Sequence, residues 1–406
     1  MQRRTAMGRA IILMMDSFGI GGAPDAEMFN DKGANTLCHI AKTNLGLNIP
    51  NLVHLGLSQA AEGACGHEPP LGIQDPAKIK TQSLYGHAKE MSRAKDTSSG
   101  HWEMAGVPVL TEWGYFPKKF PSFPPELIKK ICKRANIKGI LGNKAASGTE
   151  IIKELGVQHI KTRKPIFYTS VDSCLQIAAH EEHFGLEKLY ELCQIAFEEV
   201  KPYNIARIIA RPFTGDKPEN FVRTKNRHDY SVPPPQPTLL DKLKKNKNKV
   251  IAIGKISDIF AGRGISKKVM AYGLEELWDK TITETSSAPD GSLIFTNFVD
   301  FDMLYGHRRD VKGYARALEY FDRRLPEICN VMQPDDIAII TADHGNDPTF
   351  DGSDHTREQV PVIMFGAKIK SKNIGQRQTF ADIAQTLAEY FKIPPFEYGK
   401  SFLKEK

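Results

Sequence analysis

Side chains of the types that bind divalent metals are concentrated near the C-terminus of this 406-residue chain. Asp343 and His344 are adjacent, and His355 follows them after a short loop. Upstream, Asp302 and His307 form a second group of carboxylate and imidazole ligands. Both groups come after apolar runs that predict buried strands, and ligands at strand ends can converge in space although they lie far apart in sequence. The pattern therefore indicates a metalloenzyme.

Asp16 is a sixth candidate ligand, because it ends the apolar run 11–15 and opens a glycine-rich turn. The glycines of this turn do not form a dinucleotide-binding fingerprint. Counted from Gly19 and Gly21, Pro24 stands where the third glycine of G-x-G-x-x-G would be. We therefore interpret the turn as the segment that places Asp16 beside a metal.

The segment 95–103, which reads KDTSSGHWE, offers the best candidate for a nucleophile. Thr97 stands near the start of a predicted helix, where backbone N–H groups and the helix dipole favour a phosphoryl group. Coordination to a divalent ion would lower the pKa of its hydroxyl and generate an alkoxide. Thr97 or Ser98 could instead serve only as a helix cap, and Ser98 is a competing hydroxyl.

Short apolar runs predict the strands that must position these residues. They span residues 10–15, 250–254, 293–299, 337–342 and 360–365. Longer segments with apolar residues three and four positions apart predict helices over 313–332 and 380–391. The alternation predicts an α/β fold, in which helices sandwich a mostly parallel sheet. Such sheets bind ligands at the carboxyl ends of their strands, where Asp16, Asp302 and Asp343 fall.

The middle of the chain differs from the rest and predicts an inserted, smaller α+β cap domain. Closely spaced prolines mark both of its edges, and none of the metal-type clusters falls inside it. We expect residues 1–113 and 234–406 to form the two parts of the core, and residues 114–233 to form the cap. A cap beside a strand-end site could close over it and exclude water.

Composition excludes several classes of protein. The net charge of +7 is modest, and the one dense basic run, 242–249, follows a helical pattern whose C-terminal dipole favours lysines. The six cysteines lack C-x-x-C spacing, which suits reduced thiols in a cytosol. No apolar run approaches the ~20 residues of a membrane span. We expect a cytoplasmic protein with no nucleic-acid, membrane or obligate protein partner.

The ordered set of candidate residues resembles the metal and nucleophile pattern of the alkaline phosphatase superfamily. That set is Asp16, Asp96-Thr97-x-x-Gly100-His101, Asp302-x4-His307, Asp343-His344 and His355. Over nearly the whole chain, longer segments resemble the phosphopentomutase family. They are DSFGIGGAPDA, KDTSSGHWEMAG, YTSVDSCLQIAAHEE, IARPFTGD, RHDYSVPPP, GKISDIFAGRGI, DFDMLYGHRRD and TADHGNDPT.

This resemblance implies an isomerase of nucleoside catabolism that interconverts ribose 1-phosphate and ribose 5-phosphate, and the 2-deoxyribose equivalents. It implies that Thr97 carries the phosphoryl group and that a sugar bisphosphate is the intermediate. An added bisphosphate could act as an activator by priming Thr97. The alternatives are a metal-dependent phosphomonoesterase, a cofactor-independent phosphoglycerate mutase of the same superfamily, or a catalytically inactive protein that binds a sugar phosphate or a metal.

The resemblance also assigns the ligands and the substrate contacts. It implies two divalent ions, usually manganese in this family. One would be held by Asp16, Asp343, His344 and Thr97, and the other by Asp302, His307 and His355. Contacts with the pentose phosphate substrate would come from Ser170, Asp172, Arg211 and Lys255.

Overall fold

The structure, a computed structural model, describes residues 7–170 and 173–403. The chain forms two compact units. The first comprises the chain up to Leu110 and from Pro234 onward, and the second is Thr111–Pro233. We propose that the second unit is the inserted cap domain that the sequence predicts.

The strands are named in chain order. They are β1 (Ala10–Met14), β2 (Ser83–Ala88), β3 (Leu141–Ala145), β4 (Ile166–Thr169), β5 (Cys174–His180), β6 (Arg207–Thr214), β7 (Val222–Arg223), β8 (His228–Ser231), β9 (Val250–Ile253), β10 (Lys267–Val269), β11 (Leu293–Asn297), β12 (Ile337–Thr341), β13 (Val360–Phe365) and β14 (Lys372–Arg377).

The α-helices are named in the same way. They are α1 (Thr36–Thr43), α2 (Pro50–His54), α3 (Leu57–Cys65), α4 (Thr97–Met104), α5 (Pro125–Arg134), α6 (Gly148–Thr162), α7 (Glu181–Phe184), α8 (Leu186–Glu199), α9 (Leu239–Lys245), α10 (Ile256–Ile259), α11 (Gly273–Ser287), α12 (Val311–Val331) and α13 (Ala381–Tyr390). Among the described residues, none of these helices combines the length and apolarity that a membrane crossing requires.

One large sheet organises the first unit, in the order β10-β9-β11-β1-β12-β13-β2-β14. The strands from β10 to β12 are all parallel, and Ala10 of β1 pairs with both Leu293 and Ile337. β1, β9, β11 and β12 are buried along their whole length, as expected for parallel strands covered on both faces. The predicted α/β fold with a mostly parallel sheet is confirmed.

The other half of this sheet departs from the prediction. β13 was expected as a strand, but it runs antiparallel to both β12 and β2. The sequence patterns did not indicate β2 or β14, because both mix polar residues with glycine. Gly86 of β2 is needed for packing, since a Cβ there would lie 2.4 Å from the carbonyl oxygen of Gly375 in β14. The two predicted helices correspond to α12 and α13.

The second unit has its own mixed sheet, in the order β3-β4-β5-β6-β7, with β8 also paired to β6. β3 and β4 are parallel, as are β5 and β6, whereas β4 and β5 are antiparallel. Apolar side chains of α5 and α8 form one core with this sheet, and those of α6 form another. The unit is therefore α+β, as predicted.

A buried ion pair joins the starts of two central strands in the first unit. The guanidinium of Arg9, just before β1, donates from Nε to Asp336 Oδ2 at 3.0 Å. The backbone N–H of Arg9 donates to Asp336 Oδ1 at 2.7 Å. Both residues are buried, so each charge is neutralised by the other rather than by water.

Replacing Asp336 with asparagine should lower the free energy of unfolding by about 3–5 kcal/mol, because it leaves the guanidinium of Arg9 buried without a counter-charge. Chemical denaturation followed by circular dichroism measures the change. Asp335→Asn is the matched control, because Asp335 forms an exposed ion pair with Lys368. This substitution should lower the free energy of unfolding by less than about 1 kcal/mol. An equal decrease in the free energy of unfolding of the two variants would contradict the structural role of the buried pair.

Candidate metal centre

The predicted metal ligands of the first unit lie at one edge of its large sheet. Asp16 comes two residues after β1, and Asp343 comes two residues after β12. Asp302 lies in a π-helical turn, Phe301–Gly306, that follows β11. Because β1, β11 and β12 are parallel neighbours, their carboxyl ends bring these three carboxylates to the same edge.

Asp16, Asp343 and His344 form the first cluster, and their ligand atoms all lie within 4.8 Å of one another. His344 Nε2 is 3.3 Å from Asp343 Oδ2 and 3.6 Å from Asp16 Oδ1. The Thr97 Oγ1 atom lies 3.3 Å from the same nitrogen. The structure therefore places the predicted hydroxyl beside the three ligands with which it was grouped.

Asp302, His307 and His355 form the second cluster, again with ligand atoms within 4.8 Å of one another. His307 Nε2 is 3.2 Å from Asp302 Oδ2, and His355 Nε2 is 3.4 Å from Asp302 Oδ1. The rings of His344 and His355 stack with their centroids 3.9 Å apart, so the two clusters are adjacent.

The three imidazoles are oriented so that their Nε2 atoms face the clusters. Nδ1 of His344 lies 3.0 Å from the carbonyl oxygen of Gly345. Nδ1 of His307 lies 2.6 Å from that of Ser353, and Nδ1 of His355 lies 2.9 Å from that of Lys95. A carbonyl can only accept, so each Nδ1 carries the proton and each Nε2 presents a lone pair. This arrangement is typical of metal-binding histidines.

Two further observations fit divalent cations at this site. The Nε2 atoms of His307 and His355 are only 3.2 Å apart, and two lone pairs at that distance require a cation or a shared proton between them. Burial, followed by the negative charges of Asp343 and Asp302, raises the pKa of Asp16 to about 8. Its Oδ1 atom has no hydrogen-bond partner among the described residues. A divalent cation would supply the positive charge that these carboxylates need.

Two buried residues behind the first cluster hold its carboxylates in place. Asn297, the last residue of β11, donates from Nδ2 to Asp16 Oδ2 at 2.7 Å. The same Nδ2 lies 3.1 Å from Nε2 of His101. His101 Nδ1 is 2.8 Å from the carbonyl oxygen of Thr97 and 3.0 Å from Asp343 Oδ2. Sequence reasoning missed Asn297, because an asparagine at a strand end gives no signal of its distant partner.

Helix α4 positions Thr97 at its first turn. The Asp96 side chain caps the helix by accepting hydrogen bonds from the backbone N–H groups of Ser98 and Ser99. Thr97 is partly exposed, whereas Ser98 is buried, so the geometry favours Thr97 over the competing hydroxyl. Gly100 allows the helix to approach the ligand loop, since a Cβ there would lie 2.1 Å from the carbonyl oxygen of Asp343.

Glu358 organises the turns on either side of the first cluster. Its buried carboxylate accepts hydrogen bonds from the Thr36 backbone N–H at 2.9 Å and from the Thr36 hydroxyl at 2.7 Å. A Cβ at Gly19 would lie 2.1 Å from this carboxylate, and one at Gly345 would lie 2.4 Å from it. The glycines of both ligand-bearing turns thus make room for Glu358. Sequence reasoning did not single out this residue.

Gly306 is a third glycine that makes room for a neighbouring side chain. It is the last residue of the π-helical turn that carries Asp302. A Cβ at Gly306 would lie 2.7 Å from the Asn346 side chain, whose Nδ2 donates to Asp302 Oδ1 at 2.8 Å. Gly306 therefore permits the close approach of Asn346, which fixes the orientation of the Asp302 carboxylate.

The predicted substrate-binding residues are distributed over both units. Lys255 lies at the carboxyl end of β9 in the first unit, and its charge favours the ionised form of Asp16. Ser170 and Arg211 belong to the second unit. Asp172 lies outside the described residues. The roles of these four residues stay predictions.

A family model described as the Metalloenzyme superfamily matches residues 8–395. Phosphopentomutase from Elusimicrobium minutum (strain Pei191) is 62% identical over 397 residues, which cover 98% of this chain and 100% of that protein. Phosphopentomutase from Aeromonas salmonicida (strain A449) is 56% identical over 405 residues, with coverage of 98% and 100%. Among solved structures, Leishmania mexicana phosphoglycerate mutase has a TM-score of 0.49 and 13% identity, covering 99% of this chain and 98% of that chain.

The chain is a member of the Metalloenzyme superfamily, since that family model spans nearly its whole length. At 62% and 56% identity to complete relatives, the chain belongs to the phosphopentomutase family, whose enzymes are isomerase-type phosphotransferases. The resemblance that the sequence motifs indicate is thereby confirmed.

Replacing Gly100 with alanine should weaken the binding of divalent ions about 10- to 100-fold, because the new Cβ would push α4 away from Asp343. Titration calorimetry with Mn²⁺ on metal-stripped protein measures the affinity. Gly22→Ala is the matched control, since it adds the same methyl group to a ligand-bearing turn but meets only the Ala34 carbonyl oxygen, at 3.5 Å. If both variants bound Mn²⁺ equally well, the proposed close-packing role of Gly100 would be wrong.

Proposed function

We propose that the protein interconverts ribose 1-phosphate and ribose 5-phosphate, and the 2-deoxyribose equivalents, through a phosphorylated Thr97. The observation that carries this proposal is the position of the Thr97 hydroxyl. It lies 3.3 Å from His344 Nε2, at the first turn of a capped helix and beside two clusters of metal-type ligands. The names of the relatives support the choice of a pentose phosphate as substrate.

Two divalent ions are part of the proposal, and we propose manganese. Asp16, Asp343, His344 and Thr97 would hold one ion, and Asp302, His307 and His355 would hold the other. Carboxylates and imidazoles suit manganese as well as other first-row ions. Such ions lower the pKa of a bound hydroxyl and neutralise charge on a transferring phosphoryl group.

The protein's own residues would carry out the transfer in two halves. Phosphorylated Thr97 gives its phosphoryl group to the free hydroxyl of a pentose phosphate. The bond from phosphorus to Thr97 Oγ1 breaks as the bond to the sugar oxygen forms. The sugar hydroxyl loses its proton, Thr97 Oγ1 gains one, and the product is a bisphosphate. The sugar then reorients, and Thr97 Oγ1 takes back the other phosphoryl group. The backbone N–H groups at the start of α4 favour the negative charge on the phosphoryl oxygens.

A metal-dependent phosphomonoesterase is the alternative function for the same ligands. In that enzyme, water rather than a sugar hydroxyl would remove the phosphoryl group from Thr97. Release of inorganic phosphate from ribose 5-phosphate, in amounts equal to the sugar consumed, would favour this alternative. A cofactor-independent phosphoglycerate mutase would instead act on phosphoglycerates, and activity on them would contradict the proposed substrate.

Replacing Thr97 with alanine should reduce interconversion of ribose 1-phosphate and ribose 5-phosphate by more than about 10³-fold, because the acceptor of the phosphoryl group is lost. Binding of divalent ions should largely survive, since six other ligands remain. Phosphorus NMR of the reaction, recorded after a chelator removes the manganese, measures both sugar phosphates. Ser98→Ala is the control and should keep near-normal activity. A near-normal rate in the Thr97 variant would refute the assignment.

Among the described residues, a surplus of positive charge around Arg211 supports it as a phosphate ligand in the second unit. Burial first, and then the nearby charge of Arg227, lowers the pKa of Arg211 to about 10. Arg227 already neutralises Asp229, to which it donates two hydrogen bonds of 2.7 Å. Arg223 adds a further charge, and its buried Nε has no hydrogen-bond partner among the described residues. An anion with several oxygens would compensate these guanidinium groups.

Replacing Arg211 with lysine should raise the KM for ribose 5-phosphate about 10- to 100-fold, because an ammonium group cannot reproduce the planar fork that binds two phosphate oxygens. Steady-state kinetics measures KM and kcat. Arg134→Lys is the matched control, since Arg134 is exposed and pairs with Glu198 and Glu199. If the two lysine variants had the same KM, Arg211 would not bind the substrate phosphate.

A further inference from the structure

A third group of metal-type side chains lies away from the metal centre, in the first unit. It consists of Cys38, Cys65 and His67, whose ligand atoms all lie within 4.8 Å of one another. Cys38 belongs to α1, and Cys65 is the last residue of α3. Both cysteines are free thiols. None of these residues takes part in the proposed reaction, so the group requires a separate explanation.

Local structure brings the three side chains together. Asn35 caps α1 and accepts a hydrogen bond from the backbone N–H of Cys38 at 3.0 Å, which fixes the first turn of that helix. α3 ends at Gly66, whose left-handed backbone (φ +80°) turns the chain so that His67 returns towards Cys65. The Cys65 thiol donates to the His67 carbonyl oxygen at 3.1 Å, and its sulfur lies within 4.8 Å of the Cys38 sulfur.

The group opens onto a cavity of about 500 Å³ on the protein surface. His67 is exposed and Cys65 is partly exposed, whereas Cys38 forms a buried floor with 4% of its surface accessible. His39 and Glu68 also line the cavity. An ion could therefore enter from solvent and meet two sulfur ligands and one nitrogen ligand at a partly enclosed site.

We propose that Cys38, Cys65 and His67 bind a thiophilic cation of the Zn²⁺ class. Two thiolates and an imidazole are the ligands that zinc prefers, and they differ from the oxygen-rich ligands of the metal centre. Ligands of one tetrahedral zinc ion lie roughly 3.8 Å apart, given Zn–S distances of about 2.3 Å. The ligand atoms lie within 4.8 Å of one another, so small side-chain rotations would bring them to that spacing. A fourth ligand could come from the cavity that these residues line.

Binding at this site involves no oxidation or reduction. Each thiol loses its proton to solvent as its sulfur forms a bond to the ion, and the ion loses water molecules. His67 binds through a ring nitrogen in its neutral form. The site therefore binds more strongly as pH rises, which is the direction expected for thiolate ligands.

Cobalt is the probe that separates this site from the metal centre. The reduced full-length protein is first loaded with Mn²⁺ and then titrated with Co²⁺ without air. Thiolate-to-cobalt charge transfer gives a near-ultraviolet band, and the proposed ligands of the metal centre contain no sulfur. We expect this band to reach a plateau as cobalt is added, although cobalt that replaces Mn²⁺ at the metal centre adds nothing to it, and to disappear when Zn²⁺ is added. A titration that produces no such band would overturn the proposal.

Variants test the assignment of ligands. Cys65→Ser should abolish the band, and His67→Ala should weaken cobalt binding at least tenfold. Cys132→Ser, which changes a partly exposed cysteine of the second unit, should leave the titration unchanged. Cys65 and His67 are not fully buried, so these variants should fold normally, and circular dichroism checks this. An unchanged band in Cys65→Ser would contradict the site. Formation of a Cys38–Cys65 disulfide in air, without cobalt binding under reduction, would also contradict it and would indicate a redox pair.

Discussion

The metal centre depends on holding together groups that do not attract one another. His307 and His355 bring their Nε2 atoms within 3.2 Å, although each ring already donates its Nδ1 proton to a backbone carbonyl. Asp16 and Asp343 add like charges in a buried environment, where their repulsion is only weakly screened. Cations supply the missing attraction, but the fold must first bring the ligands to the same place. A rigid scaffold is therefore the first requirement of this site.

The large sheet provides that scaffold, because its parallel strands end at a common edge. Close packing behind the edge then fixes each ligand. Gly100 lets α4 lie against the backbone of Asp343, and Gly19 and Gly345 make room for the buried carboxylate of Glu358. The clearances are close enough that one added methyl group would move a ligand. We therefore expect the affinity for divalent ions to depend on backbone packing as well as on the ligands themselves.

Sequence patterns predicted the parts of this arrangement that are local. The buried strands were predictable because their apolar runs are continuous, and the candidate ligands were recognisable from their residue types at strand ends. Their division into two ion sites came from a family resemblance instead. Asn297 could not be found, since its role depends on Asp16, 281 positions away. β2 and β14 were missed because their pattern is mixed, and the proximity of Cys38 to Cys65 is set by how α1 and α3 pack.

The position of β1 also determines when the protein can assemble during translation. β1 is made first, but its neighbours in the sheet are β11 and β12, which lie near the other end of the chain. The first strand must therefore remain unpaired on the ribosome until β11 (Leu293–Asn297) has emerged. The second unit is continuous in sequence, so its own sheet can form earlier. An exposed apolar strand of this kind is a natural target for chaperones that bind nascent chains.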